Sequence, residues 1–383
     1  MSFLHSVTVV GAGPAGLSTA LECQKRGWDA VVIEEHAEIG KPVNCTGLIS
    51  RSGVEETGLD IEKIKLNSVR GARIYSPNHE MLEVKRSSPV AYVIDRAALD
   101  QSMAEEAKAA GVKIMLETKL LDIRNETVFV EEKRRGGLLK SKVIVGADGP
   151  NSKTRELMEI SKKREDFAHA YQVRVNGSFD AGFVELYFGS YAKDFFAWVV
   201  PENKEWARVG LATSNINVRE SFNSFLKETN LEANYSCDMC SALIPVGLPL
   251  KEPVKGNVLL VGDAAFQTKS TTGGGILTGI NAGKAAAKAI DDFYKSKKPL
   301  TNYSKYLKPI NKELELHWKL RKYFNGLSNE KLDKLFVKMR KAKVGEFLSE
   351  HGDMDKPSRF IGKVLTRPSM WRMFPEFVSF MVK

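Results

Sequence analysis

The residues with chemistry to offer sit in short, glycine-flanked stretches. Gly11-Ala-Gly13-Pro-Ala-Gly16 has the G-x-G-x-x-G spacing, and Glu34 follows eighteen residues after Gly16. A turn of this kind presents unpaired backbone N–H groups and the positive end of a helix to a phosphate, while a carboxylate ending the next strand binds ribose hydroxyls. The pattern is that of a dinucleotide site, with the neighbouring Glu35 pointing outward. Cys45, within Gly-Lys-Pro-Val-Asn-Cys-Thr-Gly, comes soon after. Three readings are open to it: an apolar filler, half of a disulfide, or a thiol facing a reactive cofactor. Cys237-Asp-Met-Cys240 is a C-x-x-C pair that reads as incidental thiols, a redox dithiol or half a zinc site. No second pair completes a tetrahedral site and the six histidines lack ligand spacing, so no metal is expected.

The elements that must hold these residues are legible in outline. Residues 7–10 are strand-like, residues 14–26 carry helical periodicity, and Ala-Val-Val-Ile-Glu resumes as a buried strand, which together make a βαβ unit. Short strand-like runs fill 69–94. A helix follows, with Asp95 as its N-cap and Gly111 as its stop. Alternation dominates from 167 to 245, the pattern of a mostly antiparallel sheet. Val-Leu-Leu-Val-Gly-Asp at 258–263 then reads as another buried parallel strand, and a long helix follows the Gly273–Gly275 run. The chain thus leaves its first domain and returns to it. Beyond about 300 it reads as helical, basic and irregular.

Bulk properties narrow the class. The 383 residues are 43% hydrophobic and 27% charged, which is the composition of a folded globular chain with a substantial core. No run of about 18 apolar residues marks a spanning helix, and the N-terminus lacks a signal pattern. The expected location is cytoplasmic, with the inner face of the cell membrane as a docking place. Four cysteines are too few for a secreted disulfide framework. The net charge of +10 fits solvated helix faces, anionic lipid or a phosphorylated ligand. No nucleic-acid-binding motif accompanies it, so no nucleic-acid partner is expected.

Two further segments decide which dinucleotide is bound. Gly146-Ala-Asp148-Gly149 and Gly262-Asp263-Ala264-Ala265 each follow a strand. With the glycine turn they resemble the three motifs of the flavoprotein hydroxylase superfamily, the group typified by p-hydroxybenzoate hydroxylase. Within it, Lys41-Pro-Val-Asn-Cys45, Tyr92-Val-Ile-Asp-Arg96, Phe196-Ala-Trp198-Val-Val-Pro201, Ile244-Pro-Val-Gly-Leu-Pro249 and Thr272-Gly-Gly-Gly275-Ile276 resemble the archaeal and plant geranylgeranyl reductase family. The likeness spans roughly residues 5–290. One departure stands out: where the family has Asn-Pro between its Gly-Asp and Gly-Gly-Gly segments, this chain has Lys269-Ser270.

The resemblance implies an α/β fold: a Rossmann-like FAD-binding domain, an inserted antiparallel β-sheet substrate domain and a helical C-terminal region. On that reading 1–70, 96–165 and 251–298 are portions of the FAD domain, 71–95 a β insertion, 166–250 the substrate domain and 299–383 the helical region. Carried over by position, cofactor contacts fall at Gly11, Gly13, Ala15, Gly16, Glu34, Cys45, Thr46, Arg96, Leu120, Asp148, Asp263, Gly274, Gly275 and Ile276. The Gly273–Gly275 backbone would lie against the isoalloxazine, its N–H groups aimed where reduced flavin carries negative charge. Asp148 and Asp263 also have a reading as plain turn caps. Phe196, Trp198 and Pro201 fall in the substrate cavity, although an aromatic stripe on an alternating strand is also ordinary core. The implied activity is hydride transfer from reduced FAD to isoprenoid C=C bonds of geranylgeranyl groups, in archaeal-type ether lipids or geranylgeranyl diphosphate. Cys45 is then a candidate catalytic residue or a wall residue. The electron donor would be NADPH, NADH or reduced ferredoxin. The rival readings are an aromatic or quinone-precursor monooxygenase or halogenase, and a membrane-associated electron-transfer flavoprotein.

Overall fold

The computed structural model describes residues 4–231, 234–364, 367–373 and 375–376. One half is built on an eight-stranded sheet. Five strands run parallel across its centre: Val258–Leu260, Arg135–Gly146, Leu4–Val10, Ala30–Ile33 and Lys113–Met115. The first half of the long strand Arg135–Gly146 turns antiparallel to Thr127–Glu132, which pairs in turn with Thr118–Arg124. Side chains alternate across the pleat, so Val7, Val9, Val143 and Val145 belong to one buried cluster and Val10, Ile144 and Leu260 to another. Burial on both faces is what a parallel sheet requires, and it explains the unbroken Val/Ile/Leu runs in the sequence. The helices Pro14–Lys25, Arg96–Ala109 and Ile276–Ser296 supply Leu17, Leu99 and Ile290 to the first cluster. Pro14 opens its helix, where a missing N–H costs nothing. Asp95 caps the second helix by accepting from the Ala98 N–H at 3.0 Å, as the sequence predicts.

The other half is a seven-stranded sheet in the order Asn234–Pro245, Phe167–Asn176, Trp206–Thr213, Ala197–Pro201, Phe183–Tyr187, Gly71–Tyr75, Met81–Lys85. Its pairings are antiparallel except that between Phe183–Tyr187 and Gly71–Tyr75, which is parallel. The stretch read as continuous alternation also contains a helix, Val218–Thr229, whose Phe222 and Phe225 pack with Val199, Val209 and Leu211 on one face. The opposite face carries Val184, Phe196, Trp198 and Val200. A small sheet of Leu48–Ser50, Ala91–Ile94 and Lys65–Val69 joins the halves. The helices Tyr303–Asn325, Asn329–Lys341, Val344–His351 and Ser358–Val364 then return across the molecule. Among the described residues, no helix is long and apolar enough to cross a membrane.

Candidate functional site

A cleft of about 1010 Å³ runs from the end of the parallel sheet to the second face of the seven-stranded sheet. At the nucleotide end the three fingerprint glycines divide their work. Gly11 has φ +101°, and a Cβ there would lie 2.5 Å from the Ala147 carbonyl oxygen. A Cβ on Gly16 would meet the Gly11 carbonyl oxygen at 2.1 Å. These two serve the close approach of strand, turn and helix. Gly13, at the N-terminus of the Pro14–Lys25 helix, has nothing within 4 Å of its would-be Cβ and opens on the cleft beside Pro14 and Ala15. The chain itself gives no reason for a glycine there, whereas a pyrophosphate does.

The other polar groups at this end fit FAD by chemistry. Glu34 ends its strand and accepts the Ala12 N–H at 2.8 Å through Oε2, while Oε1 meets His36 Nδ1 at 2.6 Å. Arg96 lines the cleft, its Nη1 in an ion pair with the buried Asp100. A guanidinium beside the glycine turn is suited to a phosphate oxygen. Burial, opposed by Arg96, pushes the Asp100 carboxyl up to about 6. Asp263 is half-buried, accepts the Thr268 hydroxyl at 2.8 Å, and is raised by desolvation despite Thr268 and Arg96. Gly274, Gly275 and Ile276 line the adjoining wall.

Cys45 lines the cleft and, like Cys23 and Cys240 among the described residues, is a free thiol. Its Sγ accepts the Gly47 N–H at 3.3 Å. The loop that carries it is held from two sides. Towards the cavity, the Thr46 hydroxyl donates to Gln172 Oε1 at 2.6 Å, and Trp198 Nε1 donates to the same oxygen at 3.0 Å. On the other side, Arg208 Nη1 donates to the Thr46 carbonyl at 2.6 Å and its Nε to Glu202 at 2.7 Å. Arg174 closes the arrangement with a 2.8 Å bond to the second Glu202 oxygen. Cys240 also lines the cleft, its thiol pushed up by burial and by the nearness of Cys45. The side chain of its C-x-x-C partner Cys237 lies outside the described residues. Cys23 is a packing residue within the core, where burial raises its thiol to about 12.

One wall of the cleft is apolar, made by Val84, Val184, Leu186, Phe196, Trp198 and Val200, while Arg86, Asp353, Arg359 and Lys363 also line the cleft. Leu120, Asp148 and Pro201, like Gly11, Gly16 and Glu34, do not line the cleft. Leu120 packs in the cluster of Val10, Ile33 and Val128. Asp148 accepts from Ser152 and Thr154, capping its own turn, with only its neighbours Ala147 and Gly149 reaching the cleft. Pro201 is buried just past Val200, its carbonyl taken by Asn67 at 2.8 Å.

Residues 5–228 match the family described as an FAD binding domain. An uncharacterised protein of Methanocaldococcus jannaschii is 32% identical, over 94% of this chain and 95% of its own length. Digeranylgeranylglycerophospholipid reductase 1 of Methanococcoides burtonii is 30% identical, over 88% of each. The chain belongs to the digeranylgeranylglycerophospholipid reductase family of FAD-binding proteins. Its fold is shared with a geranylgeranyl bacteriochlorophyll reductase-like protein of Thermoplasma acidophilum, with a TM-score of 0.83 and 24% identity over 98% of this chain and 99% of that one.

Motif reading of this family member missed the residues that act at long sequence separation. Gln172, Glu202 and Arg208 are each largely buried, and each reaches the Cys45 loop or its clamp from a strand far along the chain. The available signal was polarity out of place: Gln172 and Arg208 interrupt strands that are otherwise apolar at buried positions. The 266–275 loop is likewise held by residues beyond 300. Arg321 donates to the carbonyls of Ser270 and Thr271 at 2.9 and 2.7 Å and stacks over Phe195 at 4.0 Å. Burial drives its guanidinium down to about 9.

His317 supports the same loop. Its Nε2 lies 3.1 Å from the Asp355 carbonyl and must donate to it, so the neutral ring accepts the Thr271 hydroxyl at Nδ1, 2.5 Å away. Burial, reinforced by Lys269, lowers its pKa from 6.5 to about 4. The folded state therefore resists protonation, and the stability this gives is present above pH 6.5 and lost as pH falls towards 4. Full loss amounts to about 3 kcal/mol. His317→Gln, which can keep both bonds, is expected to remove that part of the acid sensitivity when urea unfolding is compared at neutral and acidic pH.

Proposed function

We propose that this protein uses FAD to saturate carbon–carbon double bonds in the geranylgeranyl chains of an archaeal-type ether phospholipid. The carrying observation is the continuity of one cleft from the glycine turn and Arg96, past Cys45, into the apolar wall of Phe196 and Trp198. Bound FAD supplies the hydride for one alkene carbon. The residues of the chain supply the rest. An unactivated alkene develops no oxyanion to bind, so the rate must come from positioning and from exclusion of water. Val84, Val184, Leu186 and Val200 provide a dry channel for an extended chain, and Trp198, fixed by Gln172, gives it a rigid side. Cys45 Sγ holds the proton for the second carbon. The electron donor is a nicotinamide or a reduced ferredoxin; the charge of +10 favours an acidic protein donor and brief contact with an anionic membrane face, where the lipid is met.

The test is an anaerobic one. The flavin is reduced chemically, a geranylgeranyl ether phospholipid is added, and reoxidation is followed with mass analysis of the lipid. Reoxidation with a mass gain of two hydrogens per bond is expected, and Cys45→Ala is expected to slow it about 100-fold without loss of FAD. No reoxidation until air is admitted, with a hydroxylated product then formed, would sink the proposal.

A further inference from the structure

Lys269 is built into the glycine turn. Its N–H donates to the Gly274 carbonyl at 3.1 Å, and its own carbonyl accepts from Gly273 at 2.8 Å and Thr272 at 3.1 Å. The side chain doubles back over the same turn: a Cβ on Gly274 would lie 2.7 Å from Lys269 Cε and 3.1 Å from Nζ. The residue is only 5% exposed and lines the cleft. Its counter-charge comes from far along the chain. Asp355 forms an ion pair with Nζ and also accepts from the Ser50 hydroxyl. Burial works to raise the Asp355 carboxyl, but Lys269, Ser50 and His317 hold it below its usual range.

A cation pinned to this turn has no role in packing that an uncharged side chain could not fill, and burying it costs solvation. Two electrons and one proton entering bound FAD leave one net negative charge on its ring, and a nearby buried cation favours that change. We propose that Lys269 raises the reduction potential of FAD bound beside the Gly273–Gly275 turn, and that Asp355 moderates the effect. The inference rests on FAD being the cofactor with its ring against this turn, and not on the alkene substrate. A failure of lipid reduction would therefore leave it standing.

The two partners carry opposite charge, so their removal has opposite consequences. The midpoint potential of the holoprotein is measured by anaerobic titration against a reference dye. Lys269→Met is expected to disfavour reduction about tenfold, ~30 mV for a two-electron couple. Asp355→Asn is expected to favour it by a similar factor, and Lys269→Arg to stay near the parent value. A purely structural role predicts that loss of either partner disturbs the site in the same direction. Potentials that move together, or do not move, would overturn the proposal. Should Lys269→Met fail to fold, the rise expected of Asp355→Asn decides alone.

Discussion

Gly13→Ala is expected to fold with unchanged stability and to bind FAD about 100-fold more weakly, a loss of ~2.7 kcal/mol. Gly13 has φ −78° and ψ 177°, which alanine adopts without strain, and a Cβ there meets no protein atom within 4 Å. On the proposed reading, what it fills is the space through which the backbone approaches the pyrophosphate. Gly16→Ala is the control. Its Cβ would sit 2.1 Å from the Gly11 carbonyl oxygen, so the turn itself must open and thermal unfolding should fall sharply before any ligand is added. Denaturation of the ligand-free proteins, paired with flavin fluorescence titration, separates the two. Equal FAD affinity in Gly13→Ala would show that the open space is not the phosphate cradle.

Arg208→Met is expected to cost about 3 kcal/mol of stability. It leaves Glu202, 6% exposed, with Arg174 as its remaining cation, and strips the donors from the Thr46 and Ile94 carbonyls. The Cys45 loop then keeps its Thr46–Gln172 bond and the Ile94 N–H to the Gly47 carbonyl but loses the Arg208 clamp, so FAD affinity and turnover should fall as well. Arg208→Lys preserves charge but not the forked geometry and should recover only part. Adding Glu202→Gln to Arg208→Met should recover stability without restoring the loop, because the costly element is the buried carboxylate left short of partners. Urea unfolding measures the first effect and flavin release the second. A loss under about 1 kcal/mol would mean that the loop stands without this clamp.

What could be read beforehand was local. The glycine turn, its helix and Glu34 lie within one βαβ unit, where spacing alone dictates geometry. Alternation along 196–200 likewise put Phe196 and Trp198 on one face, and the structure sets that face on the cleft. Legibility fails where register over long separations decides. Nothing near Lys269 announces Asp355, and nothing in Trp206–Thr213 says that Arg208 will reach back to Thr46. Asp148 shows the converse difficulty. Its motif spacing is local, but so are the hydroxyls of Ser152 and Thr154, and these claim both carboxylate oxygens. The helix Val218–Thr229 escaped notice because Phe222 and Phe225, three apart, sit in a stretch dominated by twofold alternation.

The ion pair between Lys269 and Asp355 also orders events during synthesis. The phosphate-binding turn leaves the ribosome early, but the strand beside it, Arg135–Gly146, comes much later, and the residue that neutralises the glycine-turn lysine later still. Until then Lys269 carries its charge without this anion. Closure of this pair therefore belongs to the final stage of synthesis, and slowed translation between residues 275 and 355 should lengthen the interval in which Lys269 stands without this anion.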